Sequence, residues 1–313
     1  MRAVTFFDGE RMREGALDVT GERVVLRAGA APAGARPLDG LVTGLFTDHH
    51  VHLQLVDHTL LAPSRLGRVV DLGADPDWVA EAPGPTVVEY AGPFLTAPGG
   101  YPSDRAWAPP GSVREIVDAA NAAHTVDELA AAGVSLIKVV AHSAPGPVLD
   151  DDAFRVIVHQ AAVHRLPVVA HAEGPGQAQR AVRLGATRLA HAPFSERLSG
   201  AEIGAQAASA SWISTLAIHD DDTLAVALDN ARRFLAAGGE LLYGTDMGNG
   251  ATPVDLRDAE INALRAAGLD GVDLLATLSP ADPLDAGPLL LLPDGDPSRA
   301  RRLTAADIDI TEL

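Results

Sequence analysis

His50 and His52 stand two residues apart at the end of a short apolar run, in Thr47-Asp48-His49-His50-Val51-His52-Leu53. Side chains i and i+2 of a β-strand share a face, so both imidazoles would point one way. Two neutral imidazoles on one face make a pair of metal ligands. The pair alone leaves open a merely histidine-rich stretch, since His49 and His58 lie close by. Other residues decide between the two. Lys138 sits inside Leu136-Ile137-Lys138-Val139-Val140, and every other long basic side chain in the sequence is arginine. His171 closes Val168-Val169-Ala170-His171, His191 closes Arg188-Leu189-Ala190-His191, and Asp246 ends Tyr243-Gly244-Thr245-Asp246. Singly, a strand-end histidine is often structural, an aspartate before Met247-Gly248 can cap a helix, and a lysine can snorkel to the surface. Jointly, four histidines, a buried lysine and an aspartate on separate strands point to a metal centre.

A protonated lysine has donors and no acceptor, so it cannot ligate a metal. Burial beside cations lowers its pKa and frees the amine. A free amine can capture carbon dioxide as a carbamate, whose two oxygens can bridge two metals. Arginine cannot do this, because a guanidinium stays protonated.

These residues need elements to hold them. Apolar segments at 43–53, 68–73, 86–96, 134–141, 167–171, 188–191, 212–216 and 240–245 read as strands. Helical patterns at 75–82, 112–121, 125–132, 151–164, 177–184, 201–209, 222–237, 254–267 and 272–277 lie between or after them. Repeated β-α units imply a parallel sheet covered by helices, and eight strands suggest closure as a TIM-like (β/α)8 barrel, with a doubly wound open sheet as the structural alternative. In such a barrel the chemistry sits where strands end, which is where the candidate residues fall. Ala97 to Gly111 is a Gly/Pro-rich loop long enough to suggest a functional role. Short strands at 2–7, 15–20 and 22–27 precede an Ala/Gly/Pro linker, Ala28 to Pro37, and Leu289 to Leu292 can return as a strand to them. The expected division is 1–40 and 281–313 as the two parts of a small, reduced β-sandwich accessory domain around a 41–280 barrel.

The chain has 313 residues, 47% of them hydrophobic and 21% charged, which suits a barrel with a small appendage. A net charge of −18 repels phosphate backbones and anionic membrane surfaces, so neither nucleic acid nor membrane is an expected partner. There are no cysteines, which removes disulfides and thiolate ligands. The first residues lack a signal-peptide pattern and no apolar run reaches membrane-spanning length, so a soluble, cytoplasmic protein is expected.

The set Asp48-His49-His50-Val51-His52, Lys138, His171, His191 and Asp246 resembles the amidohydrolase superfamily of binuclear type, closest to its imidazolonepropionase/Xaa-Pro dipeptidase-like branch. Arg68-Val69-Val70-Asp71-Leu72-Gly73, Gly99-Gly100-Tyr101-Pro102, His171-Ala172-Glu173-Gly174 and Gly244-Thr245-Asp246-Met247-Gly248 add to the likeness, which runs from about residue 40 to 280. The resemblance implies two divalent metal ions, zinc first, with manganese, iron or cobalt as alternatives. His50, His52 and Asp246 would hold one, His171 and His191 the other, with carboxylated Lys138 (N6-carboxylysine) and a hydroxide bridging. The hydroxide would attack the carbonyl of an amide, lactam, N-acyl-amino or dipeptide-like small substrate, with Asp246 as general base and acid. Lactonase or ester hydrolase activity, deamination and a non-catalytic scaffold are the alternatives. Glu173 resembles the proton-shuttling glutamate of deaminase relatives, but those lack the bridging lysine. Tyr101, His142 and His219, in loops after strands, are candidate substrate contacts. Members of this family often self-associate, so a homo-oligomer is compatible. The sequence departs from the family in a very short segment after strand one, His58 to Gly67, and in an abbreviated C-terminal portion.

Overall fold

The computed structural model describes residues 1–21, 23–81 and 84–308. Residue 22 of the expected strand 22–27, residue 82 of the expected helix 75–82 and residues 309–313 of the C-terminal segment lie outside the described residues.

Four strands open the chain: β1 (Arg2–Phe7), β2 (Met12–Thr20), β3 (Arg23–Ala28) and β4 (Arg36–Gly44). The strand expected over 43–53 divides at Leu45, because the chain changes partners there. Gly44 pairs with the C-terminal tail, whereas Phe46 opens β5 (Phe46–Val51) and pairs with Leu66. Every residue of β5 is buried.

The central body then runs β6 (Leu66–Asp71), α1 (Pro76–Glu81), β7 (Val87–Tyr90), β8 (Phe94–Thr96), β9 (Val113–Glu115) and α2 (Ala119–Ala131). It continues with β10 (Ile137–His142), α3 (Asp151–Val163), β11 (Val168–Glu173), α4 (Gln177–Arg183), β12 (Arg188–Leu189) and α5 (Gly200–Ala207). Then come β13 (Ser211–Ile213), α6 (Asp221–Ala236), β14 (Leu241–Leu242), α7 (Asp258–Ala266) and α8 (Gly271–Thr277). After them β15 (Leu289–Leu292), β16 (Arg301–Arg302) and α9 (Ala305–Ile308) end the described chain.

Two of these assignments correct the sequence expectation. Residues 86–96 form two strands, since the backbone turns at Gly92 with φ +70°. The helix expected over 112–121 is instead β9, followed by one helix from Ala119. The alternating stretch around Val113 finds a partner in β8, and Asp118 caps α2 by accepting from Asn121 N at 2.8 Å.

The fold is mixed α/β, with two parallel sheets at its centre. One has the order β5-β6-β7, the other β14-β13-β12-β11-β10-β8-β9. Backbone hydrogen bonds join their margins. Ser135 N donates to Tyr90 O at 2.9 Å beside β7, and His49 N donates to Tyr243 O at 3.0 Å just after β14. A further parallel bridge pairs Val51 with Met247. Helices cover these strands with apolar faces: Trp212 of β13 stacks on Phe234 of α6 with ring centroids 3.8 Å apart, and its Nε1 donates to Gln206 of α5.

The terminal segments meet in one six-stranded sheet of order β16-β15-β4-β1-β2-β3, so the strands expected as a two-sheet sandwich hydrogen-bond as a single sheet. Val4, Phe6, Leu17, Leu26, Val42 and Leu289 form its own apolar cluster. Strand β4 runs across position 40, the boundary expected between domains. Among the described residues no helix is long and apolar enough to cross a membrane.

Candidate metal centre

Strand β5 brings His50 and His52 to one side, with their Nε2 atoms 3.3 Å apart. Asp246, four residues past β14, places Oδ1 3.1 Å from His50 Nε2 and 3.0 Å from His52 Nε2. His171 on β11 and His191, two residues past the neighbouring β12, place Nδ1 and Nε2 3.0 Å apart. Lys138 points inward from β10 and is only 1% exposed. All six predicted ligands line one cavity.

Acceptors on the outer nitrogens leave the inner nitrogens of His50 and His171 free. His50 Nδ1 lies 2.8 Å from Ala190 O, which can only accept, so Nδ1 carries the hydrogen and Nε2 keeps its lone pair. His171 Nε2 lies 3.1 Å from the Glu173 carboxylate, which leaves Nδ1 free. His191 Nδ1 is held by Thr215 Oγ1 at 2.8 Å. Outer-nitrogen bonds of this kind fix tautomer and ring orientation in metal sites. Donors on a tetrahedral ion, each about 2.0–2.1 Å from it, sit about 3.3 Å apart. The converging atoms here are spaced 3.0–3.3 Å. The residues fit divalent metal.

Electrostatics agree. Burial holds His50 and His191 well below the usual imidazole range, which keeps both neutral, the form that can ligate a metal. Burial also brings the Lys138 amine down to about 7, against the opposing pull of the Asp246 and Asp71 charges. Burial disfavours the Asp246 carboxylate, but neighbouring His50 and His52 outweigh it and keep the group well below the ordinary range.

Supporting residues lock this arrangement. Asp48 accepts from His50 N and Thr245 N and from Thr245 Oγ1 at 2.6 Å, tying β5 to the segment that carries Asp246. Asp71 accepts from Leu53 N and Gly73 N, which fixes the chain just past His52. Glu260 of α7 accepts from Leu216 N and Ala217 N and so holds the turn beside Thr215. Thr215 and Asp246, both at the site, have φ of +42° and +54°, a region strained for side-chain-bearing residues.

Gly73 has a steric duty. A Cβ there would overlap the Phe94 ring, which sits 5.5 Å from that of His52. Gly73→Ala is expected to cost about 1–3 kcal/mol through overpacking. The measurement is chemical denaturation: the double variant with Phe94→Ala should be no less stable than Phe94→Ala alone, and a purely additive loss would refute the clash.

A cavity of about 590 Å³ opens onto these ligands. Tyr101 and His219, expected to touch substrate, line it. His142 binds Glu173 Oε1 at 3.2 Å, with its ring 5.0 Å from Tyr101. Burial works against ionisation of Glu173, but the hydrogen bond from His171 and the charges of His171 and His142 keep it below the usual range. Phe94, Trp107, Phe194 and Asn249 also line the cavity and were not among the sequence candidates. The sequence relates Glu173 to a proton-shuttling glutamate, and its i+2 spacing from His171 on a strand predicts the shared face that the structure gives it.

No family model matches the chain, and no curated protein matches it. Solved structures do. An amidohydrolase aligns over 93% of this chain and 91% of its own with TM-score 0.67 and 17% identity. Ochratoxinase from A. niger aligns over 93% and 90% with TM-score 0.70 and 14% identity. A Xaa-Pro dipeptidase solved with methionine in its active site aligns over 93% of both chains with TM-score 0.70 and 13% identity. The fold is that of the amidohydrolases. At these identities the likeness concerns the fold, and the case for chemistry rests on the side chains described above.

Proposed function

We propose that this chain is a metal-dependent hydrolase of amide-type bonds in small molecules. The observation that carries the reading is the convergence of four imidazoles and the Asp246 carboxylate at metal-ligand spacing beside a buried, neutralisable lysine. His50, His52 and Asp246 would hold one ion and His171 and His191 the other, with Lys138 as a carbamate between them. Zinc suits the imidazole-rich set. When bound, such ions lower the pKa of water and polarise a carbonyl.

The chain's own groups do the rest. Asp246 is ionised and is oriented by Asn249 Nδ2, which donates to its Oδ2 at 2.8 Å. It takes the proton released as water attacks and returns it to the departing nitrogen. Glu173 is occupied on both oxygens by His171 and His142. That makes it an orienting group and disfavours the free proton carrier a deaminase would need.

For the fold, we read the strands from β5 to β14 as a closed (β/α)8 barrel, supported by the bonds at Tyr90 and Tyr243, and the terminal sheet as a reduced accessory domain. The barrel would span 41–280, with 1–40 and 281–313 forming the accessory part. A small-molecule substrate and a cytoplasmic setting accompany this reading.

Metal analysis of the purified chain, grown with zinc or manganese, is expected to give about two ions per chain. Chelation should lower the melting temperature, because ligands that bind only the folded state stabilise it by mass action. Fewer than one ion per chain after reconstitution would sink the proposal.

A further inference from the structure

We propose that the cavity accepts substrates carrying an uncharged aromatic group next to the scissile bond, an anilide or related aryl amide, and disfavours those whose aromatic group carries a carboxylate. This rests on the amide-hydrolase reading of the same site.

Four aromatic side chains line the cavity, and each flanks the ligand set or a neighbouring ring. The Phe94 ring lies 5.5 Å from His52, Tyr101 5.7 Å from His171, and Phe194 6.0 Å from His191. Trp107 closes one side, 6.2 Å from Phe94 and 6.0 Å from Tyr101. Offset and edge-on contacts at such spacings suit another aromatic ring. Leu55 and Ile218 extend the apolar surface.

The charges point the same way. Among the described residues lining the cavity, Lys138 is the only lysine or arginine, and the proposed carbamate would remove its positive charge. Glu173 adds a negative charge to the wall. The cation packed against Tyr101 is Arg105, 5.5 Å from the ring centroid, and its Nε already pairs with Asp104 at 3.3 Å. A substrate carboxylate lying away from the metals would thus be desolvated without a partner, next to Glu173. The net charge of −18 also lowers the local concentration of anions. The remaining polar groups of the lining, Tyr101, Asn249 and His219, offer neutral hydrogen bonds. Burial depresses the His219 imidazole, and its Nε2 is buried without a partner.

The test compares 4-acetamidobenzamide with 4-acetamidobenzoate, a pair matched in shape and differing in charge, on the metal-loaded protein. The neutral anilide is expected to have a kcat/KM at least about tenfold higher. Ile218→Arg, which sets a cation in the wall, should narrow or reverse that ratio. Binding supplies a second readout: the neutral anilide should quench tryptophan fluorescence of the metal-free protein, and Trp107→Phe should remove most of the quench. Equal or better hydrolysis of the benzoate overturns the inference while leaving the hydrolase reading intact. So does turnover of aliphatic dipeptides with neither anilide bound. Binding of the neutral anilide, with no amide hydrolysed by a fully metal-loaded chain, overturns the hydrolase reading instead.

Discussion

Lys138→Ala is expected to lower kcat/KM for amide hydrolysis by about a thousandfold or more, since it removes the group proposed to hold the two ions together. Lys138→Arg should not rescue it, because a guanidinium stays protonated and cannot become a carbamate. Short carboxylic acids added to the Ala variant should restore part of the activity by filling the vacated space with a carboxylate. Unchanged turnover in Lys138→Ala would refute the bridge and favour a single-metal site. The lysine also sets a pH dependence for the metal-free protein. Its amine is held at about 7 in the folded chain, against 10.5 for a free lysine side chain. Between those values the unfolded chain binds the extra proton and the folded chain does not, so folding stability rises with pH across that window. Activation by metal and bicarbonate should speed up as pH rises through about 7, when the folded amine loses its proton. Denaturation of the metal-free Lys138→Met variant should show a flatter profile from pH 7 to 10.

Asp48→Ala should be the most damaging change outside the ligands. It leaves His50 N, Thr245 N and Thr245 Oγ1 as buried donors without their acceptor. Unsatisfied buried groups cost about 1–3 kcal/mol each, so a loss of about 3 kcal/mol or more is expected from denaturation midpoints. Metal affinity should fall about 10–100-fold, the usual result of removing a group that orients ligands. Asp48→Ala with wild-type metal affinity would show that β5 and the Asp246 segment are positioned by other means.

The candidate site was legible because its residue types are out of place. A lysine amid Ile137, Val139 and Val140, and histidines closing apolar runs, conflict with the local pattern unless they serve chemistry. The groups that aim them were harder to see. Ala190 O, Thr215 and Glu260 act through backbone bonds or from distant segments, and no residue type announces that. Phe94 and Phe194 read as ordinary core residues until the fold turns them toward the cavity. Element boundaries failed where partners decide: Leu45 separates two strands because Gly44 pairs with the tail and Phe46 with β6. The stretch near Val113 could satisfy either a helical or an alternating pattern, and pairing with the otherwise open edge of β8 selected the strand.

The bond between Thr245 Oγ1 and Asp48 spans 197 residues of chain. Contacts that distant must wait for most of the intervening chain to order, which slows folding. A growing polypeptide would expose His50 and His52 long before Asp246 is synthesised, so early metal capture could use only half of a ligand set. Acquisition of the metals proposed here would therefore mark the end of folding, and the rate at which refolding protein takes up metal should follow the formation of the Asp48–Thr245 contact rather than helix formation.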